Sequence, residues 1–574
     1  RSLILFSSEP PELSAEETAE LHSWLKENAV HLKTIKAGSP IDDMQSLKTI
    51  IGDARIVSLG ESSHHNRSFS IAKHRMVEFL VNEMGFTVFA IEATFSGALE
   101  LNDYILGGDG DPRRALGALS YPAWTTKSIL DMVIWMREYN STHEKKVKFY
   151  GFDFRPVTTS ARAVYDYLKK TNGTEQCNPL LSRMMNNWTL NQVRSSPKEE
   201  LHKAAEKLQS LIKQLEQQGP RAAPGSPPAP DSQEAGQWRL VVQHVRVLLQ
   251  YIEFWNLMSD RSKATEFRDK TMAENVRWIA DYEKGAKIIL WAANAHIMAT
   301  PGSGCMGSYL RRSFGRDMVV IGLLCNRNSV ELSPDDTDQG YGAPKGSIEA
   351  ILKEAGLDKA VVDLRSLPKG AVSKYFNAPR KSGPIFLRLP RSYDAILFIE
   401  STTVARLLEK GILQGTVVRL ESPSNLDFEE LEDGKAKDWR AQGGQSRLEF
   451  QTTASHDQPY EGNTCAMIKR IPGRPFGEPF GNVSQSIKAS DFKGEKIQYS
   501  AAARISEGIA YLWLSVDVRN APTISQQQVI TSDQWEKYSL SAEVPQDAFR
   551  ITYGLAYVGQ GAAFIDDVTI GNSI

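Results

Sequence analysis

The first four hundred residues alternate short apolar runs with longer polar or helical stretches. The apolar run 56–59 stops at Gly60 and is followed by Glu61, Ser62, Ser63, His64 and His65. A helical pattern follows over 71–84, and a second apolar run, 87–91, ends on Glu92. Strand, polar loop, helix and strand in that order predict a right-handed βαβ unit. Both strands then point the same way, so Glu61 and Glu92 emerge at one carboxyl edge, where open α/β sheets bind ligands. The grammar recurs twice: the run 147–152 ends on Asp153, and the run 287–291 leads into Asn294-Ala295-His296. Four strands are thus expected to deliver Glu61 with His64, Glu92, Asp153 and His296 to one rim.

Other segments follow the same reading. Ser14 and Glu17 have capping-box spacing and open a helix through Leu21, Trp24 and Leu25. Short helices are expected near 44–51 and over 96–105, and another over 127–139 just after Trp124. Leu201, Ala204, Leu208, Leu211 and Leu215 keep a 3–4 spacing, and Val242, Val245, Leu249, Ile252 and Trp255 do likewise. They predict a helical hairpin insertion over about 197–255, placed to wall the cleft. Its tip, 219–236, is rich in Pro and Ala and reads as a mobile loop. The last strand is expected at 395–399 and a terminal helix at 403–410.

From about Ser424 the texture changes. Runs such as 498–504, 510–516 and 550–557 alternate with period two between turn signals, which predicts a β-sandwich. The expected architecture has two parts. Residues 1–415 form an α/β domain with an open, mostly parallel sheet, flanking helices and the hairpin insertion. Residues 424–574 form an all-β sandwich.

Composition narrows the partners. A formal net charge of −2 gives no electrostatic reason to expect nucleic acid or an anionic membrane. No apolar run approaches the roughly 18 residues that span a bilayer. The four cysteines, Cys177, Cys305, Cys325 and Cys465, are far apart and without a C-x-x-C, which argues against a zinc–thiolate site or a disulfide framework. The chain begins at Arg1 rather than Met, and a soluble protein exported after loss of a signal peptide is one expectation.

The polar residues at the rim suggest acid–base chemistry. His64 is the expected general base, because imidazole titrates near neutrality and reaches a water. Glu61 and Glu92 would orient and charge-stabilise imidazoles, as a triad carboxylate does. His296 would be the second imidazole, giving a proton to a leaving oxygen or polarising a carbonyl. Lys73, His74 and Arg75 open the helix after the loop; Lys73 is the expected cation for a developing oxyanion. His65, His74, Trp124, Asp153 and Arg268 are expected to line or support the substrate site. His64, His296, Glu61 and Glu92 also form a possible zinc set. No H-E-x-x-H fixes two ligands on one helix face, so a reaction without metal or other cofactor is the expectation. No G-x-S-x-G elbow is present, which argues against a serine acyl-enzyme.

These motifs together resemble the erythromycin esterase family. The resemblance rests on Gly60-Glu61-Ser-Ser-His64, Lys73-His-Arg75, the strand ending in Glu92, Tyr150-Gly-Phe-Asp153, Phe267-Arg-Asp-Lys-Thr-Met-Ala-Glu-Asn275, Asn294-Ala-His296 and Tyr393-Asp-Ala-Ile-Leu-Phe398, in order over about residues 40–410. It implies an α/β enzyme that hydrolyses macrolide lactones with a histidine base acting on water, and a basic role at Lys73. His65 stands where relatives often carry Gly, which would narrow the pocket or add an imidazole. The segments Asn425-Leu-Asp-Phe-Glu429 and Phe564-Ile-Asp-Asp-Val568 resemble jelly-roll modules of the carbohydrate-binding type. That implies a glycan partner, with Trp439, Trp513 and Trp535 either stacking on sugars or filling the core. The expected function is a hydrolase opening a small-molecule ester or lactone. The alternatives are a transferase or glycan- or lactone-modifying enzyme on the same site, and a non-catalytic glycan-binding protein.

Overall fold

The computed structural model describes residues 11–64, 66–108, 112–119, 121–171, 178–186, 193, 196–219, 232–328, 341–382, 385–403, 420, 422–432, 434–439, 450–471, 481–518 and 524–572. The expectations for His65, for the hairpin tip over 220–231 and for the terminal helix beyond 403 lie outside the described residues. The chain divides into two compact units: residues 1–160 with 196–407, and residues 161–195 with 408–574.

The first unit is built on a single large sheet. Its strands are β1 (Val30–His31), β2 (Ile56–Leu59), β3 (Val88–Thr94), β4 (Lys148–Asp153), β5 (Ile288–Trp291), β6 (Met318–Asn328), β7 (Tyr341–Gly342), β8 (Lys359–Asp363) and, after a hairpin of β9 (Arg380–Ser382) and β10 (Ile385–Leu387), β11 (Ala395–Ser401). The order is β1-β8-β11-β6-β2-β5-β3-β4, with β7 on β6. From β11 to β4 all neighbours are parallel, while β8 and β1 add antiparallel strands at one edge. Every residue of β2, β3 and β5 is buried. That is the texture of a parallel sheet covered on both faces, and it explains why these runs read as continuously apolar rather than alternating.

The chain leaves β2, forms β3 and β4, and returns to lay β5 between β2 and β3. The carboxyl ends of β2, β5, β3 and β4 are therefore neighbours, although their sequence positions span more than two hundred residues.

Helices fix the loops at that edge. The helix Arg67–Met84 starts at Asn66, whose side chain accepts from Phe69 N at 3.0 Å, and stops at Gly85 with φ 71°. The cap satisfies an otherwise orphaned donor, and glycine takes the left-handed turn without a Cβ penalty. Ser14 and Glu17 form the reciprocal capping box at the start of Ala15–Asn28. The helices Lys198–Gln218 and Gln233–Leu257 pack on each other. Leu201, Leu208, Leu211 and Leu215 are buried. Burial of each such side chain stabilises by about 1.5–3 kcal/mol.

In the second unit nine strands form two antiparallel sheets. One runs Phe450–Ser455, Cys465–Arg470, Ala562–Asn572, Lys496–Ile505, Glu536–Glu543; the other runs Gly481–Lys488, Ala548–Val558, Ile509–Val518, Ile524–Ile530. The period-two pattern has its usual cause: Ala510, Leu512, Leu514 and Val516 are buried while Tyr511, Trp513 and Ser515 face outward. Trp439 belongs to the core, its ring 4.7 Å from that of Phe428. Trp513 and Trp535 are half-buried, with indole N–H groups donating to Asn482 Oδ1 at 3.1 Å and to the Gln458 carbonyl at 2.8 Å. Cys305, Cys325 and Cys465 are buried free thiols. Among the described residues, no helix is long and apolar enough to cross a membrane.

Candidate active site

The end of β2 turns at Gly60, where a Cβ would stand 1.9 Å from Asn294 Oδ1. Glycine is required for that close approach. Asn294 uses it to join three strands. Its Nδ2 donates to the Leu323 carbonyl at 2.8 Å, its Oδ1 accepts from Leu323 N at 3.1 Å, and its backbone N–H donates to the Glu61 carbonyl at 2.8 Å. Asn294 is thus a clip between the ends of β2 and β5 and the middle of β6, and His296 stands just beyond it.

Glu61, 4% exposed, organises the first half of the site. Its Oε1 lies 2.6 Å from His64 Nδ1. Its Oε2 receives Lys73 Nζ and the Trp291 indole N–H, the latter at 3.1 Å. The Lys73 ammonium also sits 3.6 Å from the centroid of the Trp291 ring. A carboxylate only accepts, so Nδ1 of His64 carries the hydrogen and Nε2 of the neutral ring presents a lone pair. The His64 side chain is 21% exposed, and among the described residues no hydrogen-bond partner meets its Nε2. Tyr121 and Trp124 meet the ring edge-on, with centroids 6.0 and 5.5 Å away. Trp124 is held by its indole N–H, which donates to the Glu92 carbonyl at 2.9 Å.

Glu92 organises the second half. The β3–β4 ladder shifts register between Ile91 and Thr94, and such a bulge re-aims side chains. Glu92 Oε1 accepts from Arg268 Nη2 at 2.8 Å and lies 3.3 Å from His296 Nε2; its Oε2 accepts from Ala293 N at 3.1 Å. On the other side of the imidazole, Nδ1 is 2.8 Å from Asp269 Oδ1, which also accepts from Met306 N at 2.8 Å. Arg268 donates to Asp153 Oδ2 from Nη2 at 2.7 Å and from Nε at 3.2 Å, and its Nη1 is 3.2 Å from His296 Nε2.

Charge follows from these contacts. Burial acts to raise the Glu61 carboxyl, but Lys73 and His64 outweigh it and hold it below the usual carboxylate range. Glu92 is held well below that range against the same burial, by His296 and Arg268. Burial lowers the Lys73 ammonium to about 8 despite Glu61. His64 is raised: burial opposes its charge, and Glu61, then Glu92, favour it. His296 is raised to about 10, with burial opposed by Asp269 and Glu92. Arg268 Nη1 works against a charged His296. Two carboxylates on the ring nitrogens outweigh one guanidinium whose charge is shared with Asp153, so the surroundings favour the charged form of His296.

The rim brings together Glu61, His64, Glu92, Asp153, Arg268, His296 and Trp124. Lys73 differs from expectation. It is fully buried, and its ammonium is held between Glu61 and Trp291, out of reach of an oxyanion in the cleft. His74 is also placed away from the rim, its ring 5.7 Å from that of Trp135 and its Nε2 3.4 Å from Glu78. Successive helix residues point about 100° apart. Arg75 pairs with Asp43 at 2.6 Å. Three residues of the site were not singled out from sequence: Asp269, Trp291 and Tyr121. Asp269 lies inside the run 267–275, but periodicity does not reveal that two adjacent helix residues both serve the rim. Among the described residues, no group of three or more His, Cys, Asp or Glu is arranged to hold a metal ion.

Fold and site together define an α/β protein with two carboxylate–imidazole pairs at the carboxyl edge of a parallel sheet. The chain belongs to the erythromycin esterase family, whose model matches residues 81–402. It is 24% identical over 425 residues to erythromycin esterase type II of Escherichia coli, covering 67% of this chain and 98% of that one. It is 24% identical over 422 residues to the putative hydrolase YbfO of Bacillus subtilis strain 168, covering 67% and 92%. A crystal structure of a Bacillus cereus protein superposes with a TM-score of 0.57 at 24% identity, covering 68% of this chain and 99% of that chain. Family membership supports a hydrolase. Glu61, His64 and Lys73 precede the matched residues, so their assignment to the site rests on geometry.

Proposed function

We propose that the protein hydrolyses carboxylic esters or lactones, macrolide-like rings among them, with His64 as the base that activates water. One observation carries the reading: His64 is tied through Nδ1 to a buried, ionised Glu61, while its side chain is partly exposed and, among the described residues, no partner meets Nε2. In that arrangement Nε2 takes a proton from water as the water oxygen attacks the carbonyl carbon. Glu61 stabilises the imidazolium that forms, as a triad carboxylate does. The tetrahedral intermediate then expels the alcohol oxygen, which takes a proton from the charged His296. Glu92 and Arg268 hold His296 toward the cleft, and Asp269 fixes its ring.

Lys73 acts through Glu61 and does not touch substrate in this mechanism. Trp124 and Tyr121 form the aromatic wall beside the attacking water. The reading needs no metal. Each acid at the rim is already matched by Lys73, Arg268 or an imidazole, and a dication beside those cations would be repelled. The test is a panel of esters, lactones and macrolides, with mass spectrometry for the gain of one water. A general base is worth about 10²–10⁴-fold, so His64→Ala should lose that much turnover with its fold intact. Near-parental turnover would remove His64 from the role.

A glycan at the sandwich remains a proposal, supported by the outward Trp513 beside Tyr511 on one sheet face.

A further inference from the structure

The cations at the rim differ in how much of their hydrogen-bonding capacity is in use. Lys73 is fully buried and held by Glu61. Arg268 is engaged by two carboxylates, donating from Nε and Nη2 to Asp153 and from Nη2 to Glu92. Arg155, two residues past the end of β4, is different. Its hydrogen bond is a long one, from Nη2 to Asp153 Oδ2 at 3.3 Å. Among the described residues its Nε is buried without a partner, and its side chain is 33% exposed. An arginine carries five N–H donors in a rigid planar fork. Among the described residues, the exposed part of this fork, its Nη groups, makes only that one long contact.

The guanidinium is also positioned rather than adrift. Its carbon lies 5.3 Å from the centroid of the Phe254 ring and 5.8 Å from that of Phe154. Aromatic faces of this kind hold a guanidinium while leaving its edge free. Arg155 also shares the electrostatic neighbourhood of the reaction. The Tyr121 phenol, which packs on His64, feels the charges of Glu92, Arg268, Arg155 and Glu61. A half-open guanidinium with free donors matches one chemical group better than others, a carboxylate bound through two parallel N–H···O contacts.

We infer that Arg155 is a substrate-anchoring residue that binds a carboxylate, the group which ester hydrolysis itself creates on the acyl side of the product. The inference rests on the proposed hydrolase reading for its link to the product. The reaction balances: ester and water give alcohol and acid, and the acid releases its proton to solvent and binds Arg155 as the anion. Arg155 is therefore a specificity and product-retention device, separate from the imidazoles that move protons.

Binding tests it without turnover. Benzoate is titrated calorimetrically into the full-length His64→Ala protein, in the absence of any ester. Benzoate should bind, and benzamide, of the same shape but uncharged, should bind about 10-fold or more weakly, the scale of a charge-assisted hydrogen bond. Adding Arg155→Gln should remove benzoate binding by about 10–100-fold, and Arg155→Lys should fall between, because an ammonium keeps the charge and loses the fork. Equal affinity for benzoate and benzamide overturns the inference even if Arg155→Gln does not fold. So does an unchanged affinity in a folded Arg155→Gln protein, or no benzoate binding by the parent. Failure of the hydrolase reading is a distinct result: no ester turnover by the unaltered protein while Arg155-dependent benzoate binding persists.

Discussion

Asp269 and His296 face each other at 2.8 Å, Oδ1 to Nδ1, and the same oxygen receives the backbone N–H of Met306. One carboxylate thereby fixes the ring orientation of the imidazole and ties it to the start of the helix Met306–Phe314. The pair leaves Nε2 as the only nitrogen of His296 that points toward Glu92 and the cleft.

Asp269→Asn should therefore lower turnover by about 10-fold or more, since it removes the charge that keeps His296 an acid. The same variant reports on stability. The folded pKa of His296 is raised from 6.5 to about 10, so its charge stabilises the fold fully below the unfolded value and loses that effect as pH rises through about 10. The melting-temperature gap between parent and Asp269→Asn should be widest near pH 6 and should shrink toward pH 10. A gap that widens with pH contradicts the charged assignment.

Lys73→Met tests the cation beneath the first pair. It leaves Glu61 buried without its ammonium, and breaking a buried pair of this kind costs about 3–5 kcal/mol. The Lys73 charge also lowers the pKa of His64. Its loss should raise that pKa, and the acid limb of the activity profile should move to higher pH. An unmoved limb in a folded variant would detach Lys73 from His64.

How much of this arrangement the sequence discloses depends on the kind of contact. Glu61, Glu92 and Asp153 are legible because buried parallel strands are mostly apolar and the first acid after each apolar run falls at or near the rim: just past β2, near the end of β3 and at the end of β4. His64 and His296 are legible for the same reason. The fate of Lys73 and His74 is not. Both sit in one turn of the helix Arg67–Met84, and whether each faces the cleft or the protein interior depends on partners from distant chain, Trp291 and Trp135. Asp269 is hidden differently: its role requires the helix Arg261–Tyr282 to lie against the loop after β5, a tertiary fact with no local signature.

Chelation separates the two readings of the imidazoles. Activity should survive dialysis against a strong chelator, with elemental analysis of the purified protein run alongside. A stoichiometric metal whose removal stops turnover and whose return restores it would recast His64 and His296 as ligands.

The sandwich has a core of its own, drawn from residues between Phe428 and Val568, with Ile487, Leu512, Leu514, Tyr553 and Leu555 fully buried. A fragment of residues 420–574 should show β-type circular dichroism and a cooperative thermal transition. A broad, non-cooperative melt would mean that this core needs other parts of the chain.

The Asn294 clip has a consequence for how this site can diversify. The two loops that carry the imidazoles are stitched together through Asn294 N and the Glu61 carbonyl, and Gly60 leaves no room between them. The two imidazole-bearing loops are thereby held at one spacing. Tyr121 is 47% exposed and comes from a separate segment, as does Arg155. On the proposed hydrolase reading, such a construction lets the acceptable ester drift by substitution at the wall while the spacing of the two imidazoles is inherited unchanged.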